Sequence, residues 1–266
     1  MTKTVASKRA RLDLALVEQG IAATRSQARA LVLAGDIEVN GKREVRAGSL
    51  VSVHDVLSPV IRPRFVSRGG EKLAYALSTF HFDVEGAIAA DFGASTGGFT
   101  DCLLQAGCQR VYAVDVGYGQ LDRRLRLDPR VVVMERVNAR YLSELPELVD
   151  LVVIDVSFIS LSLMFPVVSV VTRPQGACIA LIKPQFEAGR HEVGKGGVVR
   201  DPLIHRRVVE SIQLQAARQG LGLQQLTMSP LRGPAGNVEF LALFRKGASS
   251  TIDESLVDDL FPQVEA

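Results

Sequence analysis

Two domains are expected from the 266-residue sequence: a small α+β module, then a larger α/β domain with a mostly parallel sheet and a C-terminal antiparallel hairpin. Three observations predict this. From residue 88 to 183, apolar runs ending in Asp91, Asp115, Asp155 and Lys183 alternate with helical patterns, as in a doubly wound sheet. The first run leads into a glycine-rich turn, Asp91-x-Gly93-x-Ser95-x-Gly97, which opens a helix. Ahead of it, residues 1–68 hold 12 Lys/Arg against 6 Asp/Glu, whereas residues 69–246 hold 19 against 18. A basic module before a neutral domain suggests a polyanion-binding attachment.

In the module, residues 9–20 place Leu12, Ala15, Leu16 and Gln19 at helical spacing, and Gly20 suits the position after a helix. Thr24-Arg25-Ser26-Gln27 has the form of a capping box and opens a second helix reaching Ala34. Residues 37–42 alternate apolar and polar side chains into Asn40-Gly41, a strong hairpin signal. A short strand is expected at 51–53. Two prolines and two arginines in residues 58–64 mark the break between domains. The boundaries drawn are 1–61 for the module, 62–66 for a linker, 67–247 for the α/β domain and 248–266 for an acidic tail.

This module resembles the S4 RNA-binding domain through Arg11-Leu-Asp13, the helix start Thr24-Arg-Ser-Gln-Ala28 and Gly35-Asp-Ile-Glu-Val-Asn-Gly41. The resemblance implies RNA as partner, with Arg9, Arg11, Arg25, Arg29, Lys42 and Arg43 on phosphates, and Arg68 just past the linker.

The larger domain opens with a helix from residue 67 that puts Leu73, Ala76 and Leu77 on one face. The spacing of the glycine turn differs from the Gly-x-Gly-x-x-Gly of dinucleotide binders and suits a nucleoside with a small polar tail. Asp115 ends the second strand, 24 residues after Asp91, where doubly wound folds grip a ribose diol. Together these favour an adenosine-type cofactor, with S-adenosylmethionine (SAM) ahead of NAD. Residues 117–126 read as a loop entering a very basic helix. Strands are expected at 131–134, with Asn138 just past it, at 150–155 and at 176–183. Residues 204–219 read as helix, and 223–227 and 238–244 as the closing hairpin. Between Glu187 and Asp201, Gly189, Gly194, Gly196 and Gly197 fit either a lid or an inert loop. The tail, with Leu256, Val257, Leu260 and Phe261, fits a short packed helix and a disordered segment equally.

Several classes are set aside. No apolar run reaches the roughly 18 residues of a membrane span. The opening residues lack a secretory pattern, so a cytoplasmic monomer is expected. Cys102, Cys108 and Cys178 form no Cys-x-x-Cys pair, so neither a disulfide framework nor a metal site is expected. A lysine ending an apolar strand, as Lys183 does, must be paired or perturbed.

Residues 66–244 resemble the TlyA (haemolysin A) family of ribosomal RNA ribose methyltransferases and, more distantly, the FtsJ-type enzymes. The carriers are Val66-Ser-Arg-Gly-Gly-Glu-Lys72, Asp91 through Asp101, Asp115-Val-Gly-Tyr-Gly-Gln120, Asp155-Val-Ser-Phe-Ile-Ser160, Leu181 through Glu187, and Asn237-Val-Glu-Phe240. The resemblance implies a class I SAM-dependent methyltransferase that modifies ribosomal RNA on ribosomal subunits, with a cytidine ribose as target. SAM would be held by Asp91, Gly93, Ser95, Gly97, Asp115 and Asn138. Lys72, Asp155, Lys183 and Glu239 match the family's set for transfer to a 2′-hydroxyl, Lys183 serving as base beside Lys72. Arg123 stands where the family is expected to have tryptophan. Base methylation would call for an Asn/Asp-Pro-Pro-Tyr motif or a cysteine nucleophile, and neither is visible. A catalytically silent assembly factor is the alternative; a pore-forming haemolysin lacks a spanning segment.

Overall fold

The computed structural model describes residues 9–60, 63–249, 257, 260 and 261. The chain divides into two compact units, Met1–Pro63 and Arg64–Ala266.

In the first unit, β1 (Arg9–Arg11) runs into α1 (Leu12–Glu18), followed by α2 (Arg25–Leu33), β2 (Ile37–Val39), β3 (Lys42–Arg43), β4 (Leu50–Ser52) and β5 (Leu57–Pro59). Leu12, Leu16, Ala28, Val32, Ile37 and Val51 make its core. Residues 9–11 do not join the first helix as expected. They pair antiparallel with β4, and Arg11 stays extended (φ −69°, ψ 141°), so the helix starts at Leu12. Thr24 Oγ1 accepts the Gln27 N–H at 3.2 Å, and Gln27 Oε1 accepts the N–H of Ala23, one residue further back than the expected box. Asn40 (φ 54°) and Gly41 (φ 74°) turn the β2–β3 hairpin. Ser58 and Pro59, placed by sequence in the break between domains, instead join Leu57 in an edge strand on β2. Pro59 fits there because an edge strand has a side that needs no N–H.

The second unit holds α3 (Arg68–Thr79), β6 (Ile88–Phe92), α4 (Gly98–Gln105), β7 (Arg110–Asp115), α5 (Arg123–Arg126), β8 (Val131–Glu135), β9 (Val149–Ile154) and α6 (Phe165–Val171). It closes with β10 (Thr172–Ile182), α7 (Pro184–Glu187), α8 (Pro202–Ala217), β11 (Leu221–Met228) and β12 (Phe240–Lys246). The sheet order is β11-β12-β10-β9-β6-β7-β8. Strands β6 to β10 run parallel, and β12 lies antiparallel to both β10 and β11. Side chains alternate between two buried layers. Ala89, Ala113, Val153 and Ile179 face α3 and α4 through Leu73, Phe99 and Leu103. Ala90, Val114, Val152 and Ala180 face α6 and α8 through Phe165, Val208 and Ile212. Burial on both faces explains why these strands read as continuous apolar runs.

Some boundaries move. Phe65 is buried and Val66 N–H donates to Asp101 Oδ2 at 2.8 Å, so both residues, placed in the linker by sequence, are tied into the second unit. The basic helix after Asp115 is only four residues long. Strand β10 starts at Thr172, with an irregular register before Ala177. In the tail, Leu256 lies outside the described residues. Val257 is buried, and Leu260 and Phe261 pack on the same core, the Phe261 ring 5.3 Å from that of Phe240. Among the described residues no helix is long and apolar enough to cross a membrane.

The parallel strands end on one edge of the sheet. That edge collects Asp91, Asp115, Asp155 and Lys183. Because β12 runs the other way, its start lies beside the end of β10, with Phe240 opposite Ile182, and Glu239 arrives at the same edge.

One polar group organises the first unit. Asp13 is fully buried and accepts from Arg11 Nε and Nη2, both at 3.0 Å, and from Arg25 Nε at 2.9 Å. The Arg11 hydrogen bonds hold its carboxyl down at about 2 against the opposing cost of burial. A depressed folded pKa stabilises the fold above the unfolded value near 3.9 and is lost as pH falls toward about 2. Asp13→Asn is therefore expected to lower the stability of this unit at pH 7 by about 1.5–3 kcal/mol. It should also remove that loss between about pH 4 and pH 2, read from core methyl signals of Leu12 and Leu16 during denaturation.

Candidate functional site

Two adjoining cavities open at the carboxyl edge of the sheet in the second unit. The first, of about 410 Å³, is lined by Gly93, Ser95, Asp115, Val116, Asn138 and Met164 among others. Its shape depends on the turn after β6. Gly93 has φ 87°, and a Cβ there would come 2.7 Å from the Asp155 carbonyl oxygen, so only glycine lets the two loops touch. Ser95 is held at φ 49°, its N–H donating to Asp115 Oδ2 at 2.7 Å. Gly117 N–H donates to Asp115 Oδ1 at 2.6 Å. Each carboxylate oxygen keeps a lone pair for a ligand hydroxyl. Apolar walls with one fixed carboxylate at the rim suit the base and ribose of an adenosine-type cofactor. Asn138 also lines this cavity, while its Oδ1 caps the following turn at Arg140 N.

The second cavity, of about 300 Å³, shares Gly93, Ser95, Asp155 and Ser157 with the first and adds Arg68, Lys72, Lys183 and Glu239. Here two lysines are each paired with one carboxylate. Lys72 Nζ bonds Glu239 Oε2, and both residues are buried. Lys183 Nζ lies 2.6 Å from Asp155 Oδ1, off the hydrogen-bond axis, and donates along a proper hydrogen bond to Ser157 Oγ at 3.0 Å. The four residues predicted from sequence thus meet in one pocket, drawn from α3, β9, β10 and the lead into β12. Asn237 fixes that lead: its Oδ1 accepts from Val199 N at 3.0 Å and its Nδ2 donates to Gly197 O at 2.9 Å. These bonds also anchor the long glycine-bearing loop to the body. Arg68 lines the second cavity.

Three features escaped the sequence reading. Ser157 and Asn237 were read only as parts of family stretches, with no role of their own. Phe158 is 90% exposed with φ 64°, its ring 4.9 Å from that of Phe186. A bulky residue in the left-handed region is a backbone outlier, and this one lines the first cavity with its ring largely open to solvent. No metal-ligating cluster of three or more His, Cys, Asp or Glu occurs among the described residues. Cys178 is fully buried and burial pushes its thiol up, which leaves no thiolate for a pyrimidine-C5 route. In the first unit, Arg11 and Arg25 are tied to Asp13, whereas Arg9, Arg29, Lys42 and Arg43 make no ion pair among the described residues.

Comparison with known proteins follows the same division. The model of the FtsJ-like methyltransferase family matches residues 65–246, and that of the S4 domain matches residues 10–57. The 16S/23S rRNA (cytidine-2'-O)-methyltransferase TlyA of Mycobacterium tuberculosis is 42% identical over 95% of this chain and 96% of its own. A solved chain from Streptococcus thermophilus bearing a hemolysin name is 41% identical, covers 96% of each chain and superposes with a TM-score of 0.71. A solved SAM-dependent methyltransferase from Mesorhizobium loti, 14% identical with a TM-score of 0.50 over 65% of this chain and 96% of that one, shares the fold alone.

Asp91 departs from its expected place. Its carboxylate turns inward beneath the first turn of α4, where Oδ2 accepts Thr100 N at 2.9 Å and Thr100 Oγ1 at 2.7 Å, and Oδ1 has no partner. It lines neither cavity and acts by tying the glycine turn to α4. Burial pushes its carboxyl up to about 7, opposed by the Thr100 bonds and reinforced by the charges of Asp155 and Asp115. From about pH 4 to about 7 the folded, ligand-free protein keeps a proton that the unfolded chain has lost, so stability falls with rising pH and then levels off. Asp91→Asn, whose carbonyl still accepts from Thr100, should match the wild type near pH 4 and exceed it by about 1–4 kcal/mol at pH 7.5 in urea unfolding.

Proposed function

Since the chain belongs to the FtsJ-like methyltransferase family, in its TlyA group with an S4 domain in front, we propose that it transfers a methyl group from SAM to a ribose 2′-hydroxyl of ribosomal RNA, at a cytidine. The observation that carries this reading is the meeting of two lysine–carboxylate pairs in a pocket that adjoins an adenosine-sized cavity. The substrate and the cytidine follow from the name of the Mycobacterium tuberculosis relative.

SAM, when bound, supplies an electrophilic methyl on a cationic sulfur. The chain supplies the rest. Asp115 and Asn138 would hold the nucleoside, and Gly93 allows close approach of the backbone. Lys183, in its neutral form, would take the proton of the 2′-hydroxyl as the oxygen attacks. Asp155 would hold the resulting ammonium. Lys72, fixed by Glu239, adds positive charge where the oxygen becomes negative. The exposed ring of Phe158 offers a stacking face for an unpaired base, and Arg68 offers a cation for the neighbouring phosphate. In the S4 unit Arg29, Lys42 and Arg43, together with Arg9 near the charge of Asp55, would contact phosphates. Arg11 and Arg25 share their charge with Asp13 and add less. The proposed setting is the cytoplasm, where ribosomal subunits are found.

Lys183→Arg separates a base from a structural cation, because a guanidinium does not give up its proton in the accessible range. Both Lys183→Arg and Lys183→Ala should lose most methyl transfer while binding SAM and RNA as the wild type does. Near-normal ribose methylation by Lys183→Arg would refute the base assignment. Asp115→Ala tests the cofactor site: loss of hydrogen bonds to the ribose diol should weaken SAM binding by about 1.5–3 kcal/mol in calorimetric titration, and unchanged affinity would sink the assignment. Arg29→Ala should flatten the salt dependence of RNA binding by about one unit of slope and leave SAM affinity intact.

A further inference from the structure

We propose that Ser157 is a positioning residue that sets the rotation of the Lys183 head group, so that the free valence of its nitrogen faces the acceptor hydroxyl. The inference rests on the methyl-transfer reading of the pocket. It begins with the difference between the two partners of Lys183. The Asp155 carboxylate is close, at 2.6 Å, yet lies off the axis of any hydrogen bond. Ser157 Oγ, at 3.0 Å, meets the angular requirement and is the only directional hydrogen-bond partner of this ammonium among the described residues. Asp155 thus supplies charge and Ser157 supplies direction.

A lysine head group needs that direction. An ammonium offers three equivalent N–H bonds, and rotation about Cε–Nζ exchanges them at no cost. A neutral amine has two N–H bonds and one lone pair, so its rotation decides whether the lone pair meets the proton to be removed. Asp155, lying off axis, attracts the head group without fixing where any one N–H points, so the choice falls to Ser157. This leaves two orientations. In one an N–H donates to Ser157 and the lone pair faces the cavity. In the other the lone pair faces Ser157 and is satisfied by its hydroxyl. The structure shows the first arrangement: Nζ donates to Ser157 Oγ, so the serine oxygen takes up an N–H and leaves the lone pair to the cavity. The removed proton, if it reaches Nζ, restores the ammonium without breaking either contact, and the bond to Ser157 persists through the step.

Its location fits the role. Ser157 lies two residues past Asp155, and its side chain lines both cavities. It stands on the wall between the methyl donor and the acceptor, where a shift of the lysine nitrogen changes the line of attack. The Phe186 ring lies 5.9 Å from Lys183 Nζ and adds a cation–π contact to the charged head group.

The test uses the full chain with Ser157→Ala and Ser157→Thr, the latter restoring a hydroxyl. Single-turnover methyl transfer to ribosomal subunits is expected to fall about 10-fold in Ser157→Ala and to return within about 3-fold of wild type in Ser157→Thr, since small misplacements of reacting groups cost factors of this order. SAM affinity by calorimetry should change less than about 2-fold in both variants, so the loss appears in the chemical step alone. A second readout needs no activity: the 15N order parameter of the Lys183 Nζ signal, assigned by its absence in Lys183→Arg, should drop in Ser157→Ala and recover in Ser157→Thr. An unchanged order parameter in Ser157→Ala, an unaffected rate, or a rate loss matched by lost SAM affinity would overturn the proposal. The order parameter still decides the positioning claim if the wild type transfers no methyl group to RNA, a result that overturns the functional reading alone.

Discussion

Two buried lysines in one pocket are tolerable only because each has its own carboxylate. Removing an ion from water costs several kcal/mol, and the cost is recovered only by a partner at close range. Lys72 comes from α3 and Glu239 from the lead into β12; Lys183 ends β10 and Asp155 follows β9. The pairs therefore tie four separate segments to one point, and each lysine charge is matched by its own carboxylate before any ligand arrives.

That balance depends on sheet topology. A wholly parallel sheet would carry the start of its last strand to the opposite edge, away from the lysines. The antiparallel insertion of β12 between β10 and β11 sets Phe240 opposite Ile182 and so delivers Glu239 to the reactive edge. Asn237 then fixes the approach by bonding to both Gly197 and Val199. The tail contributes from behind, with Phe261 against Phe240. Packing thus runs from Phe261 through Phe240 to the segment that carries Glu239.

Much of this was legible in the sequence because the signals were local. Apolar runs with period 2 or continuous burial placed the strands, Asn40-Gly41 placed a hairpin, and the acids and the lysine at strand ends marked the reactive edge. The four residues of the pocket could be named, though only through a family resemblance, since residues from 72 to 239 have no local signal linking them. What could not be read was direction. Asp91 sits at a strand end like Asp115, yet one turns under a helix and the other faces the cavity, and the difference depends on Thr100 lying within reach. Arg25 looked like a free cation until Asp13, twelve residues away, took its charge. Ser58 and Pro59 read as part of the break between domains because Pro59 breaks most strands, whereas an edge position admits it. Ser157 was named within a family stretch, yet its role went unread because nothing in sequence distinguishes a serine on a loop from a serine holding a lysine.

The central claim is that the pocket delivers a methyl group to a ribose oxygen of RNA. The most direct measurement incubates purified ribosomal subunits, isolated from cells lacking this protein, with the wild-type chain and SAM labelled in its methyl group, then digests the RNA with alkali. A methyl on a 2′-oxygen blocks cleavage of the adjacent phosphodiester. The account predicts that the label is recovered in an alkali-resistant dinucleotide whose 5′ residue is cytidine. Label recovered in mononucleotides, on a base, would contradict it, as would subunits that take up no label.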